Sequence, residues 1–263
     1  MSTLSAKPDT NSSVVTIGTY DGVHLGHRQL IAETMRQARA RGVRSRVVTF
    51  AVHPLTVLRP DLPIRLLCTT KERIALLQAT GVDDVVVLGF DEARVHEPAE
   101  EFVKRELVDE LGATLIVVGA NFRFGHERRG DVAMLSALGS ELGFGVEGVE
   151  LVLDDEQASV VSSTRIRAHI REGELDIAAH LLGRRYHLPA QLHSNGEIIV
   201  ADDLLIPGAG RYLVNVSDSS GDGAVAIAVA DPEGKLRLEG LTGEGEIDLT
   251  FLADRGRSGA SDR

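Results

Sequence analysis

The sequence predicts a doubly wound, parallel α/β sheet followed by a second, smaller antiparallel β domain, and three observations carry that expectation. Short runs of β-branched residues alternate with helix-like stretches from Val14 to Gly183. Hydrophobic residues make up 43% of the 263 residues while aromatics are only 4% with no Trp, so the core is built from Val, Leu, Ile and Ala, as in a sheet buried on both faces. From about Tyr186 the alternation stops, and Gly, Asp and short two-residue-period runs take over.

Met1 to Ser13 is polar and predicts a disordered arm over 1–13. Five strands follow, at Val14 to Ile17, Arg46 to Phe50, Asp84 to Leu88, Leu115 to Val118 and Val146 to Leu153. Helices are predicted between them at His27 to Ala40, Lys71 to Ala79, Ala99 to Leu111 and Asp131 to Leu142, with Gly81, Gly112 and Gly143 just past helical runs. Such alternation implies right-handed crossovers and a ligand site beyond the carboxyl ends of the strands. Ser162-Ser163-Thr164 caps a helix running to Glu172, and Asp176 to Leu182 forms another, which closes a first domain at 14–185. The runs Glu197 to Val200, Tyr212 to Val216, Val225 to Val229, Leu236 to Glu239 and Ile247 to Phe251 make the antiparallel β domain at 186–253, with a barrel among its forms, and 254–263 is a loose tail.

Charge and cysteine usage exclude several classes. A formal charge of -11 without a segregated basic patch disfavours nucleic acid as a partner. The single Cys68 excludes a disulfide framework and a thiolate metal cage and fits a reducing, cytoplasmic setting. Residues 1–13 lack an apolar signal core and no apolar run approaches the ~20 residues of a membrane span, so export and membrane insertion are disfavoured. The partners left are small-molecule substrates, with oligomeric state open.

The first strand runs into Gly18-Thr19-Tyr20-Asp21-Gly22-Val23-His24-Leu25-Gly26-His27, after which a helix begins. Glycines there let backbone N–H groups approach a phosphate, and the helix N-terminus adds partial positive charge. His24 and His27, three apart, share one face and can donate to one polyphosphate, stabilising charge that grows on an α-phosphate during adenylyl transfer. Taken singly, the glycines suit any tight turn and the histidines any surface. A zinc pair ranks low, because zinc needs a third ligand and Asp21 is the only local candidate. Neither G-x-G-x-x-G nor G-x-x-x-x-G-K-S/T occurs here, which sets aside a dinucleotide fingerprint and a P-loop.

G-x-x-D-G-x-H-x-G-H after the first strand resembles the Rossmann-like H-x-G-H nucleotidyltransferases, in particular the adenylyltransferase module of prokaryotic bifunctional riboflavin kinase/FAD synthetases. Phe50-Ala51-Val52-His53-Pro54 resembles that family's F-x-P-H-P, and Val118-Gly119-Ala120-Asn121-Phe122-Arg123-Phe124-Gly125 its V-G-x-D/N-F-x-F-G. Ser162-Ser163-Thr164-Arg165-Ile166-Arg167 matches S-S-T-x-I-R, and Leu181-Leu182-Gly183-Arg184 matches L-L-G-R, so the resemblance runs in order over roughly 14–185.

The resemblance implies transfer of AMP from Mg-ATP to FMN, giving FAD and pyrophosphate, with Mg²⁺ bound by phosphate oxygens and water rather than an all-protein metal site. It implies catalytic roles for His24, His27, Asn121 and Arg167, and a nucleotide site of Gly18, Thr19, Asp21, Gly22, His24, His27, Ser163, Thr164 and Arg167, with Asp21 and Gly22 shaping the turn. Ser163, Thr164 and Arg167 would hold the leaving pyrophosphate, brought opposite the imidazoles by folding; by themselves they read as an N-cap with a surface Arg. His53, Pro54, Asn121, Phe122 and Phe124 fall on the flavin or acceptor side, although such phenylalanines are more often core.

The chain departs from the pattern at Val160, where the family has Arg, at Tyr20 for Phe, and at Ala51-Val52 for Glu-Pro. Its second domain departs further. His193 to Asp203 holds nothing like the kinase motif G-R-x-x-G-x-P-T-A-N, while Pro207-Gly208-Ala209-Gly210-Arg211-Tyr212 resembles the later P-x-x-G-x-Y. A shortened barrel without kinase activity is the expectation. Two rivals stay open: transfer of AMP or CMP to a different phosphorylated acceptor, and a non-catalytic flavin- or nucleotide-binding regulator.

Overall fold

A computed structural model of the chain describes residues 11–61, 64–150, 153–154, 159–218 and 223–252. The arm expected at 1–13 lies outside these residues up to position 10, and the tail expected at 254–263 lies outside them altogether. The chain divides into two compact units, Met1–Pro63 with Thr70–Leu153, and Ile64–Thr69 with Asp154–Arg263.

The first unit is the α/β sheet. Strands β1 (Ser13–Ile17), β2 (Arg44–Phe50), β3 (Asp84–Leu88), β4 (Ala113–Gly119) and β5 (Gly145–Val149) pair in the order β3-β2-β1-β4-β5, and every pairing is parallel. Each of the five expected strands is present; the fifth stops at Val149, short of the expected Leu153. Chain order reverses between β1 and β4, which makes the carboxyl ends of those two strands the switch point where such sheets bind ligands.

Alternation along the central strands explains burial on both faces. Val14, Val47, Leu115 and Val117 join Leu30, Ile31 and Leu77 in one core. Their neighbours Val15, Val48, Ile116 and Val118 join Phe102, Val103, Leu107 and Leu135 in another. The first core is covered by α1 (Leu25–Arg41), which Gly42 ends at φ 66°, its N–H reaching Ala38 O and Arg39 O. Helices α2 (Pro54–Leu58), α3 (Thr70–Gln78), α4 (Glu92–Val95), α5 (Ala99–Phe102) and α6 (Val132–Leu142) complete this unit. The helix expected from Ala99 to Leu111 is α only to Phe102 and then a π-helix over Val103–Glu110.

A two-stranded pair, β6 (Leu153–Asp154) with β7 (Ser159–Val160), precedes the helices α7 (Ser163–Glu172) and α8 (Leu175–Leu182). By contacts these two helices group with the barrel in the second unit. There β8 (His187–Leu192), β9 (Glu197–Val200), β10 (Gly210–Asp218), β11 (Gly223–Ala230), β12 (Leu236–Glu239) and β13 (Gly245–Phe251) close an antiparallel barrel in the order β10-β11-β12-β9-β8-β13. Inward residues alternate along the strands, as with Tyr212, Val214 and Val216, or Ala226, Ala228 and Ala230. The five expected strands are all there. β8 is additional: its Pro189 pairs only with Asp248 of β13, while the ladder to β9 begins at Ala190, so the missing N–H costs no bond on that side.

Candidate active site

The carboxyl end of β1 is a strained, buried turn. Gly22 sits at φ 79°, and the non-glycine residues Tyr20 and Val23 also take positive φ, at 50° and 40°. For a β-branched residue such as Val23 this conformation is unfavourable, and the packing around it must hold it. Tyr20, Asp21, Val23 and His24 are all buried. The Tyr20 hydroxyl shares a 2.8 Å hydrogen bond with Thr16 Oγ1, and burial drives the phenol well above its ordinary pKa against a smaller lowering by that bond. A side chain at Gly18 would put its Cβ 3.3 Å from the same ring. The Tyr-for-Phe departure thus adds a hydrogen bond that pins the turn back to its strand.

His24 is the N-cap of α1, its Nδ1 accepting from His27 N–H at 3.3 Å. A neutral imidazole that accepts at Nδ1 carries its proton on Nε2, so the cap fixes the tautomer of His24. Its ring stacks on that of His27, with centroids 3.5 Å apart and planes inclined by 17°, and Tyr20 meets His27 edge-on at 5.1 Å. The buried Nδ1 of His27 has no hydrogen-bond partner among the described residues. Desolvation first, and the neighbouring His24 second, hold the His27 pKa well below the ordinary histidine value. Two stacked imidazoles at a helix N-terminus, that of His27 held neutral by its burial, form a donor pair suited to polyphosphate oxygens. Asp21, the one carboxylate between Gly18 and His27, is fully buried in the turn.

The other end of the switch point, after β4, carries the second motif. Asn121 is exposed just past the strand end, where Ala120 N–H bonds Val149 O and Phe122 N–H bonds Gly119 O. Phe122 and Phe124 stack at 5.3 Å, and both pack on the core beneath the sheet. Pro54 opens α2 and His53 is its N-cap, with Nδ1 accepting from Leu55 N–H at 3.2 Å and the residue only 7% exposed. The cap gives His53 a local structural role, and it leaves the ring at the carboxyl end of β2.

In the second unit, Ser162 caps α7 by accepting from Arg165 N–H at 3.3 Å. Ser163 and Thr164 are the first two residues of that helix, and Thr164 is exposed. Arg167 is buried, at 7% exposure, and its Nε donates to Arg65 O at 2.7 Å. The motif predicts a phosphate-binding cation at Arg167, and an isolated reading a surface one. The structure gives it a share in holding the segment 64–69, which the motif could not reveal because Arg65 is 102 residues away in the chain.

A parallel sheet with β1 and β4 at its switch point, two stacked imidazoles on the first helix and an appended six-stranded barrel define an α/β protein of the H-x-G-H kind. The family model described as FAD synthetase matches residues 6–165, and the chain belongs to that family. It is 32% identical over 223 residues to the FAD synthetase of Listeria monocytogenes, covering 82% of this chain and 89% of the relative. It is 34% identical over 249 residues to a bifunctional riboflavin kinase/FMN adenylyltransferase of Pseudomonas fluorescens, covering 89% and 79%. Against the enzyme of the same name from a Buchnera aphidicola strain it is 30% identical over 190 residues, and the match spans only 61% of that relative's length. A crystal structure described as a macrolide-efflux protein from Streptococcus pneumoniae superposes with a TM-score of 0.81 at 25% identity, over 98% of this chain and 89% of that one. Among the described residues no helix is long and apolar enough to cross a membrane.

Proposed function

We infer that the chain is an FMN adenylyltransferase that makes FAD and pyrophosphate from Mg-ATP and FMN, and that it has no riboflavin kinase activity. The observation that carries this reading is the stacked His24–His27 pair at the N-terminus of α1, on a switch-point strand, in a chain of the FAD synthetase family. The Listeria relative, of which the match spans 89%, is named FAD synthetase alone.

In this reading a phosphate oxygen of FMN attacks the α-phosphorus of ATP in line, the new P–O bond forms as the α–β bridging P–O bond breaks, and pyrophosphate leaves without a covalent enzyme intermediate. Catalysis is then positioning plus electrostatics. His24 and His27 donate to the α- and β-phosphates. Gly18, Thr19, Asp21 and Gly22 hold the turn against the nucleotide, and Asn121 orients the reacting phosphate. Ser163, Thr164 and Arg167 take the leaving group, and His53, Pro54, Phe122 and Phe124 belong to the flavin side. Mg²⁺ arrives with ATP and neutralises phosphate charge; the turn's single, buried carboxylate fits an ion carried by phosphates and water. The formal charge of -11 and the single, buried Cys68 support a cytoplasmic enzyme of small anions with no nucleic-acid partner.

The test is pyrophosphate release with Mg-ATP or Mg-CTP and a panel of phosphorylated acceptors that includes FMN. Release with ATP and FMN, and FAD on chromatography, is the expected result; release only with another acceptor, or none at all, defeats the assignment. His27→Ala should lower kcat by about 100-fold or more, as loss of a transition-state donor does, with a much smaller change in ATP affinity.

A further inference from the structure

We propose that Arg73, acting with Thr70, is a positioning residue that sets the geometry of the acceptor-side loop leaving β2, a role that rests on the FMN adenylyltransferase reading. Arg73 lies on α3, is 1% exposed and is among the largest fully buried side chains among the described residues. One turn later on the same helix face stands Leu77, a member of the core that α1 covers. Position 73 is therefore where a helix covering a sheet ordinarily carries an aliphatic residue. A buried guanidinium costs desolvation free energy that a leucine would not, so the compensation has to be found in its contacts.

Two of those contacts, one of them relayed by Thr70, lead to two successive carbonyls. Arg73 Nη2 donates to Phe50 O, the last carbonyl of β2, and to Thr70 Oγ1 at 3.3 Å. Thr70 Oγ1 in turn donates to Ala51 O at 2.9 Å. On the other side Ala51 N–H bonds Leu88 O at 2.8 Å, so the peptide after the strand is gripped from α3 and from β3 at once. Two residues further on is His53, buried and capping α2 through its own ring. Fixing the peptide planes at 50 and 51 fixes the direction in which Val52, His53 and Pro54 leave the sheet. An apolar side chain at 73 would fill the same space without orienting a single carbonyl. The polar grip therefore buys geometry at the strand exit rather than packing. The acceptor segment also departs from the family pattern at Ala51-Val52, where Glu-Pro would have stiffened the backbone, which increases its reliance on an external clamp.

The experiment uses the full chain and steady-state pyrophosphate release, with FMN and Mg-ATP varied separately. Thr70→Val and Arg73→Met should each raise KM for FMN by about 10-fold, the effect of one lost charged or well-placed hydrogen bond. KM for ATP should stay within about twofold, and Arg73→Lys, which keeps a cationic donor, should recover most of the loss. Flavin fluorescence titration should show the same ranking in Kd for FMN without turnover. A lowered melting temperature with unchanged FMN KM, or equal losses toward FMN and ATP, would overturn the proposal. If Arg73→Met fails to fold, Thr70→Val decides alone, since it removes the hydroxyl at nearly constant volume. A parent protein inert toward FMN would overturn the functional reading, and this inference with it, and the parent's trace alone reveals that case.

Discussion

At His27 the fold works against the charge that a histidine carries in acid. The ring's ordinary value is 6.5, and in the folded chain desolvation and His24 push it well below that. An unfolded chain takes up a proton as pH drops through 6.5 while the folded chain does not, so protons favour unfolding and stability falls below that pH until the folded value is reached. Urea unfolding at pH 7.5 and 5.5 measures the effect. The parent should lose up to about 1.4 kcal/mol more over this interval than His27→Gln, which has nothing to titrate at this position; parallel losses would contradict the burial argument. At this scale the sequence made the pair visible by its i, i+3 spacing. It did not show that His24 is spent as an N-cap, that the rings stack, or that Tyr20 and Val23 are forced to positive φ, because these depend on how β1 hands the chain to α1 in three dimensions.

Among the elements, α7 carries Ser163 and Thr164, and its far end is clamped by the loop before β10 within the same unit. Gly208 N–H donates to Ile170 O at 3.1 Å, and a Cβ at Gly208 would stand 1.9 Å from Arg171 O. That overlap is with backbone, so it cannot be relieved by a rotamer change. Gly208→Ala should therefore destabilise the protein by about 2 kcal/mol or more. Gly243→Ala, whose Cβ would meet only Leu192 Cδ2 at an ordinary 3.4 Å, should move the thermal midpoint little. Similar melting of both variants would show that the clamp is not tight. The helix itself was legible from Ser162-Ser163-Thr164, and the five sheet strands from their β-branched runs. Three features were not. Pro189 hid β8, since proline argues against a strand unless one edge is unpaired there. Nothing in Val103–Glu110 announces a π-helix, because the α and π hydrogen-bond ladders differ by one residue and the buried Val103 and Leu107 serve both. The grouping of α7 and α8 with the barrel depends on long-range contacts such as Gly208 to Ile170, which no local pattern encodes.

Taken whole, the molecule joins a sheet that keeps its family's motifs to a barrel that keeps only the family's outline, and the consequence is a division of labour that can be measured. A riboflavin kinase must hold a triphosphate with its metal beside a hydroxyl, and the resemblance implies that the Thr and Asn of G-R-x-x-G-x-P-T-A-N do so. In this chain the corresponding stretch, His193 to Asp203, contains no Thr, and its single Asn is already committed. Asn195 Oδ1 accepts from Glu197 N–H at 3.0 Å, and Gly196 follows at φ 80°, so the residue builds the tight turn between β8 and β9. Its partner strand then continues directly from Glu197. The part of the pattern that is present is structural: Tyr212 lies fully buried in β10, and its hydroxyl donates to Gly208 O at 2.5 Å, tying the P-x-x-G-x-Y stretch together. If that motif is what binds the triphosphate, a barrel with its turn and core residues intact and the motif absent should fold and fail to phosphorylate. Incubated with riboflavin and Mg-ATP, the full chain should yield no FMN above background by chromatography, while the same preparation given FMN should yield FAD. Stoichiometric FMN from riboflavin would mean that the barrel binds ATP through residues other than that motif, and the assignment of a single activity would fall.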